Sequence, residues 1–375
     1  MSINRRLSTV RFITALESCG LASHDLAIVD GWRVAVKRGK HKPSQPILYF
    51  EVDAFLPSSD PRFAPLAEKR PTNFEGTVGF RVQTEQINGV VSQGLVMSLS
   101  DFPEIRKALN DQDAANEYEE TKRWAREEAC FDTLLGIKKW GPGKKSAGSL
   151  GPFPYIIQGT DLQRVQNQTS LWKNWGNSTF EVTTKMDGSS MTAYFVKVDH
   201  PGHHHLPFNP DKTYQFPSGR FGVCSRNVEL MENQDGKCKY WAVVRRHMLA
   251  QKMIALDKSV AIQGELVGDT IQQNREGFPV GFHDFFVFGA WDICGQKRMA
   301  PDDVHELART LGLRHVPVLG RFRLKDFAKN HDELVEKAAG NGINGRRREG
   351  IVLKEVNGAY RFKVIDPKYL LRHNE

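Results

Sequence analysis

Between Gly141 and Pro152 the chain reads GPGKKSAGSLGP, a stretch of glycine, proline, lysine and small side chains with no apolar period. Such a stretch offers no face to a core and marks a linker or exposed loop. It divides 375 residues, more than one usual core accommodates, into two folding problems. The expected division is residues 1–150 and residues 151–375.

The two halves differ in pattern. In the first, Leu26–Val29 and Trp32–Val36 are β-rich runs around Asp30-Gly31, a hairpin signal. A basic Gly/Pro loop from Arg38 to Pro46 leads to a strand over Ile47–Val52, and Thr77–Thr84 and Gly89–Met97 read as further strands. A small β-barrel closes short strands of this kind without leaving open edges. Beyond residue 103, Leu109, Ala115 and Tyr118 among Glu119, Lys122 and Arg123 predict one or two solvated helices up to residue 136. In the second half, strand runs at Thr179–Thr184, Met191–Val198, Ala261–Leu266, Phe285–Asp292, Gly350–Val356 and Ala359–Ile365 alternate with helical patterns at Tyr240–Leu256, Pro301–Leu311 and Leu324–Ala339. The fold class expected is multidomain: an N-terminal β-barrel, then an α+β domain of antiparallel sheets with helices on their faces.

Composition narrows the partners. Hydrophobic residues make up 40% and charged residues 26%, as in soluble globular proteins. No run of 18 apolar residues occurs, so no membrane partner is expected, and the N-terminus lacks the apolar core of a secretory signal. The five cysteines include no C-x-x-C pair and are expected to be reduced thiols of an intracellular protein, cytoplasmic or nuclear. A net charge of +8 suits a polyanion such as nucleic acid. His203-His204-His205 lies in a proline-flanked stretch and reads as a surface loop.

The chemistry begins at Glu181-Val182-Thr183-Thr184-Lys185-Met186-Asp187-Gly188-Ser189-Ser190, where a strand delivers a lysine into an Asp-Gly turn. Alone, K-x-D-G is an ordinary hairpin with an exposed lysine. It is followed in order by Ser225-Arg226-Asn227, Gly264-Glu265-Leu266-Val267-Gly268, Phe285–Ile293, Arg348-Glu349-Gly350-Ile351-Val352-Leu353-Lys354 and Arg361-Phe362-Lys363. In order and spacing these segments resemble the six nucleotidyltransferase motifs shared by ATP-dependent ligases and mRNA-capping enzymes. The resemblance covers residues 181 to 365.

The resemblance implies ATP and Mg2+ or Mn2+ as cofactors, and it implies roles. Lys185 is the nucleophile that attacks the ATP α-phosphate, and it needs a free lone pair, which a nearby metal or cation and partial burial provide by depressing its pKa. Gly188 lets the chain turn sharply behind it. Asp187 and Glu349 hold the metal, partly through water, and Glu265 either hydrogen-bonds the ribose or shares in metal binding. Lys354, Arg361 and Lys363 alternate along strands to face one pocket and neutralise phosphate oxygens, with Lys363 and Asp187 counted as catalytic. Thr183 and Arg226 complete the ATP site. Phe288 stacks on adenine, with Phe286 in reserve.

Domain order separates branches. DNA ligases and capping enzymes resemble each other in placing an OB-fold after the last motif, but only about a dozen residues follow Lys363 here. The β-rich region comes first, an arrangement similar to an RNA ligase family typified by enzymes of Deinococcus and Naegleria, with an N-terminal OB domain and a C-terminal nucleotidyltransferase domain. Further likeness lies in Val29–Val36, Tyr49–Pro57, Ile87–Leu95, Thr160–Asn167 and Ile271-Gln272-Gln273-Asn274. This implies ligation of RNA 3′-hydroxyl and 5′-phosphate ends, duplex or nicked, on an RNA or DNA template, by a monomer that forms a lysyl-AMP intermediate. Arg33 and Lys37 on the OB-like domain and Arg164 are the expected RNA contacts. The chain departs from the family at Thr184, where a charged residue is frequent, and at Arg361, where lysine is common. Residues 201–217 and 144–151 look like insertions. A DNA-nick ligase, a capping-type guanylyltransferase and a non-catalytic binding protein remain alternatives.

Overall fold

A computed structural model of the chain describes residues 5–20, 22–114, 129–141, 148–207, 214–232, 238–358 and 360–374. The expected helical residues Ala115, Tyr118, Glu119, Lys122 and Arg123, most of the linker (142–147), part of the expected insertion (208–213) and Ala359 lie outside them. The described residues form two compact units. One holds residues 5–141, 166–169 and 367–374; the other holds 148–165 and 170–366. Two short segments that follow the linker thus pack with the N-terminal unit.

The N-terminal unit is built on a five-stranded sheet in the order Leu95–Ser98, Pro46–Phe50, Ser8–Ser18, His24–Val29, Trp32–Lys37. Its central strand, Ser8–Ser18, is not among the strands expected from the sequence. Its first half pairs with Pro46–Phe50 and its second half with the 24–29 strand, and the register shifts between Ile13 and Ala15. That bulge bends one strand across two pairings, the device by which barrels turn corners. The hairpin at Asp30-Gly31 forms with Asp30 at φ 52°. Trp32, Val34, Tyr49 and Ile13 fill the barrel, and Asn167 secures the 166–169 segment there. Its Oδ1 accepts from Trp32 Nε1 at 2.8 Å and Arg11 Nη1 at 3.1 Å, and its Nδ2 donates to Glu51 Oε2 at 3.1 Å.

The second unit contains two sheets. A four-stranded sheet runs Val318–Arg323, Thr179–Lys185, Gly350–Glu355, Arg361–Ile365. A nine-stranded sheet has Ser189–Lys197, Val260–Gly268 and His283–Asp292 side by side at its centre. Among the described strands, pairing is antiparallel except that Arg314–His315 runs parallel to Phe286–Val287; an isolated bridge, Arg164 to Lys363, is also parallel. The turn Met186-Asp187-Gly188 carries the chain from the smaller sheet into the larger.

Helices cover the larger sheet and bury Trp241, Val244, Leu249, Met253, Val304 and Leu311 against Phe195, Ile262 and Phe285. The helix expected over Tyr240–Leu256 breaks into Lys239–His247 and Leu249–Ala255 at Met248, which takes φ 51°. The one expected over Leu324–Ala339 splits into Leu324–Phe327 and His331–Ala338, because Asn330 starts a new helix by accepting from Glu333 N at 2.9 Å. Pro301–Leu311 forms as expected, with proline in its first turn and Gly312 at φ 66° closing it.

Candidate active site

Strand register explains how distant residues meet. Across the smaller sheet, Glu181 pairs with Lys354, which pairs with Arg361. Two residues along, Thr183 pairs with Val352, which pairs with Lys363. Two further, Lys185 pairs with Gly350. Side chains two residues apart share a face, so Lys185, Thr183, Lys354, Val352, Arg361 and Lys363 line one cavity. Arg226, Glu265 and Phe288 of the larger sheet and its loops close the other wall, with Thr160, Asp161, Arg298 and Val316.

Glu349 directly precedes Gly350, the pairing partner of Lys185, and its carboxylate accepts a hydrogen bond from Lys185 Nζ. Burial opposes the lysine charge, but Glu349, Glu265 and Asp187 outweigh it and raise the Lys185 pKa. This differs from the depressed value expected at the sequence level. The neighbours of the amine in this state are carboxylates, not cations.

Glu265 is pushed up to about 8, first by burial and then by the like charges of Glu349 and Asp187, with Lys185 and Arg226 opposing. Glu276, 6% exposed, is pushed up to about 7, again by burial first. Three carboxylates around one amine, Glu265 among them held toward the neutral form, suit a divalent cation: it would relieve the repulsion that raises Glu265.

The opposite end of the cavity is cationic. Lys354 is 5% exposed, and its Nζ has no hydrogen-bond partner among the described residues. Burial followed by Arg361 lowers its pKa to about 7, against the pull of Glu181. Arg361 Nε is also buried without a partner among the described residues, and burial with Arg298 lowers its pKa to about 9. Unsatisfied buried donors are rare in folded proteins, and here they belong to side chains lining a cavity that a polyanion would complete. Glu181 sits behind this wall, accepting from His305 Nε2 at 2.8 Å and Arg321 Nη2 at 3.1 Å.

Phe286 and Phe288 differ in burial. The register against Val260–Gly268 shifts at Gln263/Gly264, where Gln263 pairs with Gly289 and Gly264 with Val287, so Phe288 is the extra residue of a bulge. Phe286 is 1% exposed and packs with Met186, Val267 and Phe278, and Phe288 packs against the same cluster at the edge where it lines the cavity.

Gly188 sits at the expected bend, but it is not among the positive-φ residues, so no left-handed backbone calls for glycine there. A Cβ added there would lie 2.4 Å from Leu266 O and 2.8 Å from Glu265 Cγ. Glycine is needed because the lysine turn approaches the 260–268 strand closely.

Among the other expected site residues, Arg226 is exposed at the cavity wall, and Lys363 is half-buried with its backbone N–H donating to Gln163 O at 3.0 Å. Arg164 is 6% exposed and forms a backbone bridge with Lys363. In the N-terminal unit, Lys37 is exposed, and Arg33 pairs with Glu17 at 3.0 Å. The sequence reading missed Arg275 and Glu276. Arg275 Nη1 donates to Asp187 Oδ2 at 3.1 Å, and Glu276 Oε1 accepts from Asp187 N at 2.8 Å. No motif pointed to either residue, because their role depends on a turn that only the fold reveals.

The RNA ligase family model matches residues 178–365, and an OB-fold domain model matches residues 7–99. The chain belongs to the RNA ligase family. Its architecture, an N-terminal OB-fold domain followed by a ligase domain, is similar to that of Naegleria gruberi RNA ligase. An apo variant of that enzyme is 30% identical, with 100% of this chain and 99% of that chain covered and a TM-score of 0.82. A variant solved with ATP and Mn is 30% identical over 98% and 99% of the two chains, with a TM-score of 0.81. The form with PPi is 30% identical over 99% of each, with a TM-score of 0.80. No curated protein matches the chain. Among the described residues, no helix is long and apolar enough to cross a membrane.

Proposed function

We propose that the chain is an ATP-dependent RNA ligase that joins a 3′-hydroxyl to a 5′-phosphate through a lysyl-AMP on Lys185. The observation that carries this reading is the pairing of Lys185 with Glu349 at one end of a cavity whose other end holds Lys354 Nζ and Arg361 Nε, both buried and without a hydrogen-bond partner among the described residues. The ATP, AMP and Mn complexes of the Naegleria enzyme support the choice of nucleotide and ion class.

Lys354, Arg361 and Lys363 would receive the phosphates, and Phe288 would stack on the base between the Val316 and Val352 sides of the cavity. Glu349, Glu265 and Asp187 would hold Mg2+ or Mn2+. When bound, the ion supplies positive charge that neutralises these carboxylates and the phosphate oxygens. Lys185 then loses the interactions that raise its pKa, and burial favours the free amine. Its Nζ attacks the α-phosphorus, a P–N bond forms, and the P–O bond to pyrophosphate breaks. AMP passes to the RNA 5′-phosphate, and the 3′-hydroxyl then attacks that activated phosphate and expels AMP. Arg33 and Lys37 offer charge to the RNA backbone, while Arg164, bridged to Lys363 through its backbone, would meet a terminal phosphate beside the cavity. The chain is proposed to act as a monomer, with residues 1–150 as the nucleic-acid-binding domain and 151–375 as the catalytic domain.

A panel of nicked duplexes tests the substrate class. Sealing should require ribose at the nick 3′ end and accept an RNA or a DNA template. Equal sealing of all-DNA nicks would favour a DNA ligase instead.

A further inference from the structure

Arg275 and Glu276 follow a turn that the proposed chemistry does not use. Gln272, Gln273 and Asn274 have φ of 46°, 56° and 53°, three consecutive non-glycine residues in the left-handed region. Such backbone is disfavoured and persists only where its surroundings hold it. Here Asn274 Oδ1 accepts from Phe278 N at 2.7 Å, its Nδ2 donates to Phe278 O at 2.8 Å, and its carbonyl accepts from Arg346 Nη1 at 2.8 Å. Asn344 Nδ2 donates to Glu276 O at 3.1 Å, tying the turn to the segment that leads into Glu349.

This turn delivers a two-point hold on Asp187. Glu276 grips its backbone N–H and Arg275 its carboxylate, at 2.8 and 3.1 Å. Asp187 lies two residues after Lys185, in the segment that crosses between the sheets. A carboxylate as buried as Glu276 is costly unless it meets a donor, and its donor here is the backbone of the lysine turn. We propose that Arg275 and Glu276 are positioning residues that fix Asp187, and through it Lys185, in the geometry for nucleotidyl transfer. The inference rests on the ligase reading above and adds to it two residues outside the six motifs.

The test is single-turnover self-labelling with α-labelled ATP for the wild type, Glu276→Ala, Glu276→Gln and Arg275→Ala, with thermal melts of each. Glu276→Ala should lower the maximal rate by about 10- to 100-fold, the scale of a small misplacement of reacting groups, while half-saturating ATP shifts by less than about 3-fold. Glu276→Gln, whose amide oxygen still accepts from Asp187 N, should recover most of that rate. Arg275→Ala should also slow the maximal rate. A wild-type rate in Glu276→Ala, or a Glu276→Gln variant as slow as Glu276→Ala, would overturn the proposal. If Glu276→Ala does not fold, an unchanged rate in Arg275→Ala overturns it. A wild-type protein that takes no label would instead defeat the ligase reading itself.

Discussion

Gly188→Ala is the sharpest test of how the lysine turn is built. The added Cβ would stand 2.4 Å from Leu266 O, 2.8 Å from Glu265 Cγ and 2.9 Å from Val267 Cγ1. Real Cβ atoms approach no closer than about 3.0 Å, so the turn and the 260–268 strand must separate by at least about 0.6 Å. Leu266 O is backbone in the middle of a nine-stranded sheet, so most of the shift falls on the turn and on Lys185. Overpacking of this kind costs about 1–3 kcal/mol of stability. A displacement of this size should slow self-adenylylation by about 10- to 100-fold. Thermal unfolding and single-turnover labelling measure the two effects. An alanine variant with wild-type melting and wild-type labelling would refute the close-approach argument.

Phe288→Ala should weaken ATP binding about 5- to 150-fold, the equivalent of about 1–3 kcal/mol of base stacking, with little loss of stability. Phe286→Ala should do the reverse, costing about 3–5 kcal/mol of stability through the cavity it leaves; equilibrium binding and melts separate them, and equal effects on binding would contradict the placement of Phe286 in the core and Phe288 at the cavity. Lys354, lowered to about 7, is mostly neutral at pH 8 in the free chain. Triphosphate beside it raises its pKa, so metal-free ATP binding at pH 8 should take up a proton. Calorimetry in buffers of different ionisation enthalpy measures this uptake. Glu265 also titrates in this range, so the diagnostic part is the uptake lost in Lys354→Met; an equal uptake in both proteins would contradict the assignment.

The lysine, carboxylate and basic positions were legible because each falls in a short motif resembling those of nucleotidyltransferases, and strand register brings these motifs to one cavity. Glu349-Gly350 and Lys354 are separated by the distance that sets one beside Lys185 and the other two rows away. Other features depended on interactions that no local pattern carries. The strand Ser8–Ser18 is bent by a bulge and shares its pairing between two neighbours, so its alternation is weak. Phe286 and Phe288 stand two apart and pack in one cluster, so the sequence could not say that Phe286 is buried in it while Phe288, at a register shift, borders the cavity. Asn330 divides what reads as one helix, since a capping hydrogen bond competes with helix continuation. Arg275 and Glu276 act through backbone and side-chain contacts to Asp187, 88 and 89 residues away.

The most direct test of the central claim is incubation of the folded chain with α-labelled ATP and Mg2+ or Mn2+, followed by a denaturing gel and peptide mapping. The account predicts a covalent label on Lys185 that is absent from Lys185→Ala. Label retained in Lys185→Ala, or no label on folded protein that carries no AMP beforehand, would contradict it.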